Sequence, residues 1–244
     1  TKNLKGFGIE EMQFAIISAG AILYYLEDTE HKELSHISSI SRIEEDQYVW
    51  LDKFTIRNLE LLYPQHQGGV PLIDILDQTI TPMGSRNLKR WMVLPLKEKS
   101  RIEERLGIVD AFFENEALTD EITEHLRQIN DLERLISKVA VGRINPREMQ
   151  QLKKALAHTA PIKAYLENSA NKSLKHLSDQ LHNCVQLLEK INAELKEDAP
   201  MLMHQGGIIA DGVDDELDEL RKIAFSGKDY LVQIQQREVE ATGI

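Results

Sequence analysis

Residues 51–95 read LDKFTIRNLELLYPQHQGGVPLIDILDQTITPMGSRNLKRWMVLP, and their turns, caps and charges are too particular for generic helix filler. Asp52 is placed to cap a helical turn through Lys53, Phe54, Thr55, Ile56 and Arg57. Residues 64–71, bounded by prolines and holding Gly68 and Gly69, form a loop. Pro71 starts a helix carrying Leu72, Ile75 and Leu76, because proline is tolerated in a first turn. Residues 79–82 break it. A further helix from about Met83 carries Leu88, Trp91 and Met92 on one side, and Pro95 ends it. Arg86, Lys89 and Arg90 lie beside that apolar side, where solvation or pairing with distant acids is the first explanation.

Upstream, Gln47, Tyr48, Val49, Trp50 and Leu51 have strand chemistry, and residues 33–41 read as a polar connection. Residues 9–27 place Met12, Ile16, Ala19, Leu23 and Leu26 on one helical face, with Glu10 and Glu11 in the first turn. The abrupt start at Thr1, without an initiating methionine, reads as a piece of a longer protein. Downstream, Ser100 and Glu103 have capping-box spacing ahead of a stripe of Ile102, Leu106, Val109 and Phe113. A second amphipathic helix is read through Leu118, Ile122, Ile129, Leu132, Ile136 and Val139. Residues 142–146 are a turn, and Asn145-Pro146 starts a helix that runs to about Thr159, with Pro161 opening a short continuation. Leu174, Leu177, Leu181, Cys184, Leu188, Ile191 and Leu195 alternate strictly by three and four. That stripe predicts one long straight helix of about 25 residues, roughly 38 Å. Residues 207–212 form an extended piece between glycine turns. Asp214, Asp215 and Glu216 then open a last long helix through Leu217, Leu220 and Ile223, with Gly227 as a point of bending.

The 244 residues suffice for a sizeable core, and a net charge of −11 argues against a free-standing electrostatic DNA binder. One cysteine excludes an internal disulfide, and Cys184 is read as a small buried hydrophobe. No apolar run approaches the roughly 20 residues of a membrane span, so no membrane partner and a cytoplasmic location are expected. Neither a GxxxxGK[ST] nor a GxGxxG turn is present. His31, His36, His176 and His182 lack the paired spacing of a zinc helix. The acidic clusters at Glu44-Glu45-Asp46, Glu103-Glu104 and Asp214-Asp215-Glu216 are explained by helix starts or solvated faces. Ser85 beside Gly84 lacks a nucleophile elbow. No catalytic, cofactor-binding or metal residue is assigned.

Several motifs carry a resemblance. Leu51-Asp52, Thr55 and Arg57-Asn58-Leu59-Glu60-Leu61 resemble the LDxxTxRNLEL element of the MutS family of DNA mismatch-recognition ATPases. Thr81-Pro82-Met83-Gly84-Ser85-Arg86 with Leu88-Lys89-Arg90-Trp91 and Pro95-Leu96 is similar to that family's TPMGSRxLKRW…PL element. Asp131-Leu132-Glu133-Arg134, Gly142-Arg143…Pro146-Arg147-Glu148 and Gly206-Gly207-Ile208…Gly212 follow in the family's order, running into Glu216-Leu217-Asp218-Glu219-Leu220-Arg221. The pattern is most similar to the bacterial branch.

The resemblance implies a mainly α fold, the core or lever domain, with long packed helices and a few short strands. It divides the chain into the end of a connector domain (1–32), the first part of the core (33–240) and the start of a clamp (241–244). It implies a non-catalytic lever that couples an ABC-type ATPase to DNA-gripping parts. ATP and Mg²⁺ are then cofactors of the full-length protein only. Its partners are mismatched duplex DNA and a second subunit, with weak or absent DNA binding by this piece alone. Arg57, Asn58, Glu60, Ser85 and Arg86 are expected to hold the junction between connector and lever. The rival readings are a stand-alone helical interaction module of shared ancestry, an enzyme with an unrecognised site, and direct DNA binding through Arg86, Lys89, Arg90, Lys97, Lys99 and Arg101.

Overall fold

Most helix starts among the described residues are marked by side chains that accept from otherwise orphaned first-turn N–H groups. Asp52 Oδ1 receives Thr55 N at 2.6 Å and opens α2 (Lys53–Asn58). Thr81 opens α4 (Pro82–Val93), Asn115 opens α6 (Glu116–Gln128) and Asp131 opens α7 (Leu132–Ala140). Asn145 opens α8 (Pro146–Glu167) with a complete capping box: Glu148 N donates to Asn145 Oδ1, and Asn145 N donates back to Glu148 Oε2. Asn171 and Asp214 cap α9 (Lys172–Asp179) and α11 (Asp215–Thr242). The remaining helices are α1 (Gln13–Asp28), α3 (Leu72–Leu76), α5 (Lys99–Glu114) and α10 (Val185–Glu194). This computed structural model describes residues 9, 11–29, 34, 37, 40 and 45–243.

The centre of the body is α8. It is packed by α6, α7, α9 and α10, and α5 lies across α6 and α9. Ile122, Ile129, Ala155, Ile162, Leu166 and Leu174 form the main core, and Leu135, Leu152 and Leu156 a second cluster. The fold is mainly α, as expected. Among the described residues the strand-like segments contribute single antiparallel bridges, Tyr48 with Leu96 and Leu195 with Ile209. The first is reinforced by Val49 N to Pro95 O at 2.8 Å and Lys97 N to Gln47 O at 3.1 Å. These bonds tie residues 47–49, just ahead of the stretch quoted at the outset, to residues 95–97 at its other end.

Several expectations are corrected. The helix expected to end near Thr159 runs unbroken through Pro161 to Glu167. Leu156, Ile162 and Leu166 on either side of the proline are buried, at about 1.5–3 kcal/mol each. Together they outweigh the roughly 3 kcal/mol penalty of an interior proline. The stripe from Leu174 to Leu195 belongs to two helices. The chain breaks between Asp179 and Val185, and Cys184 takes a left-handed φ of 47° at an exposed position, not a buried one. Lys163 Nζ donates to Leu181 O at 2.9 Å, holding a carbonyl at that break. The alternation persists because both halves face α8: Leu174 belongs to the main core, Leu177 and Leu181 pack against it, and Leu188 packs against the second cluster.

The stripe on α5 faces outward. Leu106, Val109 and Phe113 are exposed, Phe113 to 90%, while Ile108, Ala111 and Phe112 pack inward. Apolar residues occupy two faces of α5, so periodicity alone does not choose between them. Ser100 lies inside that helix and donates to Glu98 Oε1 at 2.5 Å instead of capping. The segment from Leu118 to Val139 is two helices, broken before Asp131, and Leu135 is buried where Ile136 and Val139 are exposed. In α3 the buried residue is Ile73, at 2% exposure, while Leu72, Ile75 and Leu76 are exposed. Helix α1 begins at Gln13, so Glu11 precedes its first turn. Glu10, His31, His36 and Glu44 lie outside the described residues.

Helix α11 continues through Gly227 without interruption. Twenty-eight residues at 1.5 Å each make a rod of roughly 42 Å. Its base is fastened by Arg221, which donates to Ile209 O at 2.7 Å, Asp211 Oδ1 at 2.7 Å and Asp218 Oδ1 at 2.9 Å. Beyond Arg221, every residue of the rod whose burial is described is exposed.

Candidate functional site

The Thr81-Pro82-Met83-Gly84-Ser85-Arg86 motif is a helix start in which each position has a physical task. Thr81 Oγ1 receives Gly84 N at 3.1 Å, and Pro82 fills the first helical position, where its missing N–H leaves no bond unmade. A Cβ on residue 84 would sit 3.2 Å from both Thr79 Cβ and Thr81 Oγ1, which accounts for glycine there. Ser85 Oγ donates to Asp77 Oδ2, while Asp77 Oδ1 receives Thr79 N at 3.1 Å and Thr79 Oγ1 at 2.5 Å. These bonds, from Ser85 first and then Thr79, hold the Asp77 carboxyl below the ordinary carboxylate range. Asp77 therefore locks the end of α3 to the first turn of α4.

Arg86, next on α4, reaches the turn between α6 and α7. Its Nη1 and Nη2 bind the two carboxylate oxygens of Asp131 at 2.8 and 2.7 Å, and its Nε and Nη2 bind Glu133 Oε2 at 2.9 and 2.5 Å. Asp131 simultaneously caps α7 through Arg134 N at 3.3 Å. The planar fork suits this geometry, since a guanidinium presents paired donors that an ammonium lacks. Hydrogen bonding to Asp131 raises the Arg86 guanidinium above its usual value, and the same bond lowers the Asp131 carboxyl. The Asp131-Leu132-Glu133-Arg134 motif is thus one ion-pair partner, one half-buried residue packed against both apolar clusters, a second partner and a capped N–H.

The other expected junction residues work differently. Arg57 and Asn58 have exposed side chains, and their contribution is through backbone oxygens that receive Gln65 Nε2 at 3.2 and 3.3 Å. Glu60 adopts a left-handed φ of 48°, and its Oε1 receives Gln65 N at 2.8 Å. Leu72 N to Glu60 O at 2.9 Å and Ile73 N to Leu61 O at 3.0 Å then join this turn to α3. The five residues therefore lie along a relay from α2 through α3 and α4 to α7, and not around one centre. Ser85 and Arg86 act through their side chains, as does Glu60; Arg57 and Asn58 do not.

Sequence reading missed Asp77, Gln65 and the acids opposite Arg86, although Asp131 and Glu133 stood in a quoted motif. It also missed His125 and His158, whose Nδ1 atoms lie 2.9 Å apart between α6 and α8. Burial, and then the neighbouring His125, push the His158 imidazole down. At the start of α8, Glu148 binds Lys138 Nζ as well as Asn145 N, and its carboxyl is lowered by Lys138 first. Among the described residues, no three His, Cys, Asp or Glu side chains gather as metal ligands. None of the described helices is long and apolar enough to cross a membrane.

The family model for MutS domain III matches residues 54–242, from within α2 to the last residue of α11. Over all 244 residues the chain is similar to the DNA mismatch repair protein MutS of Cytophaga hutchinsonii, at 58% identity. It is 55% identical to that of Phocaeicola vulgatus and 54% identical to that of Bacteroides fragilis. The chain spans 28% of the length of each of these relatives. The chain therefore belongs to the MutS family and carries its domain III.

Proposed function

We propose that this chain is the helical lever of a DNA mismatch-recognition ATPase, a non-catalytic part that couples nucleotide state to DNA grip. The observation that carries the reading is α11, a rod of roughly 42 Å fastened at its base by Asp214 and Arg221, with every residue beyond Arg221 whose burial is described exposed. A signal passed between distant sites needs stiff bodies that move as units. Close-packed interiors supply that stiffness, because bending them opens contacts. In this reading residues 1–32 are the end of a connector domain, 33–240 the core and 241–244 the start of a clamp. Arg57, Asn58, Glu60, Ser85 and Arg86 hold the junction, Arg57 and Asn58 through their backbone.

The full-length protein is then a cytoplasmic ABC-type ATPase that uses ATP and Mg²⁺ and acts with a second subunit on mismatched duplex DNA. This piece alone binds DNA weakly or not at all. Of the basic residues considered for direct DNA contact, Arg86 is engaged by Asp131 and Glu133 and Lys99 by Glu103.

The test places Ile223→Pro in the full-length protein, where proline interrupts α11 just above its base. The expected result is ATP hydrolysis that proceeds without DNA but no longer distinguishes mismatched from matched duplex. An unchanged ratio between the two duplexes, with the variant folded, refutes the lever.

A further inference from the structure

A cavity of about 250 Å³ opens between α4, α5 and α9. Trp91 and Leu177 give it apolar wall, and Arg101, Arg105, Ser173 and His176 bring polar groups to it. Arg105 Cζ lies 3.6 Å from the centroid of the Trp91 ring, well inside the roughly 6 Å of a cation–π contact. Arg101 Nη1 donates to the neutral amide oxygen of Gln47 at 2.9 Å. Among the described residues neither guanidinium has an ion-pair partner, although the chain holds 40 acidic residues against 29 basic ones. The one acid lining the cavity, Glu104, faces His176 at 3.6 Å.

Two arginines spaced four apart on one helix repel each other, and a chain this acidic has carboxylates in excess with which to separate them. Here that position is left to a half-buried cavity. Burial, followed by the neighbouring Arg101 charge, holds the Arg105 guanidinium below its ordinary value. The volume falls below the roughly 300–1,000 Å³ of pockets that hold drug-sized molecules, so it suits an ion or a single terminal group.

We propose that this cavity is an oxyanion site that takes a phosphate-type group between Arg101 and Arg105, with the Ser173 hydroxyl and the His176 ring as further donors. The proposal stands independently of the lever reading. Trp91 forms its wall and serves as the reporter. In the 244-residue chain carrying Trp50→Phe, fluorescence is followed while inorganic phosphate replaces chloride at constant ionic strength, and in parallel with a short oligothymidylate. A saturable response to inorganic phosphate assigns the site to a free anion. A response to the oligonucleotide alone assigns it to the phosphate of a nucleic acid. Arg101→Gln is expected to weaken either response at least about tenfold, the effect of losing a charge-assisted hydrogen bond. Arg143→Gln, which removes an exposed charge elsewhere, is expected to leave it unchanged. Arg105→Gln also removes the stack on Trp91, so Arg101→Gln carries the test, with helical circular dichroism showing that it is folded. The proposal is overturned if neither probe saturates, or if Arg101→Gln binds as the parent does.

Discussion

Leu174 is fully buried at 0% exposure and lies where α9 meets α8, among Ile122, Ile129, Ala155, Ile162 and Leu166. Leu174→Ala removes three carbons, a transfer loss of about 2.4 kcal/mol at about 0.8 kcal/mol per methylene. The neighbours come from two different helices, α6 and α8, and from the turn after α6, so they cannot all close on the void, and a cavity term adds to the loss. The total expected is about 3–5 kcal/mol, within the range for buried leucines. Against a typical stability of about 5–15 kcal/mol this is a large fraction. Urea unfolding followed by circular dichroism reads it directly. With a slope of about 2 kcal/mol per molar, the midpoint falls by about 1.5 M or more and the slope is unchanged. Leu181 and Leu188, half-buried on either side of the break at Cys184, are expected to lose only about 1 kcal/mol each. If the three alanine variants lose the same amount, the stripe is one continuous strut after all and the two-helix account is wrong.

Three further outcomes are expected. Asn145→Ala removes the side-chain half of the capping box on α8 and should lower stability by about 1 kcal/mol, read from the same urea midpoint. Arg86→Lys keeps the charge but loses the fork to Asp131 and Glu133; faster amide hydrogen exchange in the first turns of α4 and α7, at nearly unchanged global stability, is the expected signature. Stability should also fall as pH drops below 6.5, because His158 is depressed in the folded state and the unfolded chain takes up the proton first. Its contribution is present above 6.5 and is lost as pH falls through the lower folded value. His158→Gln should flatten that part of the stability–pH curve. Asp131 and Glu148, also depressed, act in a separate and more acidic window that the variant leaves in place.

What was legible in the sequence was local. Asp52, Asn145 and Asp214 each mark a helix start because capping involves atoms only three residues apart, and each caps in the structure. The stripes were legible as apolar faces but not as assignments. On α5 the regular stripe faces outward while Ile108 and Phe112 are inside, because inside and outside are decided by α6 and α9, which no local pattern contains. The break at Cys184 was hidden for a related reason: a face that keeps contact with α8 keeps its spacing across a turn. The junction motif was legible as residue types, but its partners lie 45 and 47 positions away at Asp131 and Glu133, a separation that periodicity does not reach.

The two kinds of contact divide the molecule in a way that bears on how a lever would work. Within the body, α6, α7, α9 and α10 meet α8 through apolar side chains, and such packing resists any gradual deformation. At the joints the contacts are polar. Arg86 ties α4 to α7, Asp77 ties α3 to α4, and Arg221 with Asp211 and Asp218 seats the base of α11. Ion pairs of this exposure add little to global stability and are weakened by salt. Their value lies in direction, since a bidentate guanidinium fixes an angle between two helices more tightly than an apolar patch does. A change at a joint therefore re-aims one rigid body against another without unfolding either. In the proposed lever, the moving parts are best sought at Asp77, Arg86 and Arg221, where disturbing a bond changes geometry before it changes stability.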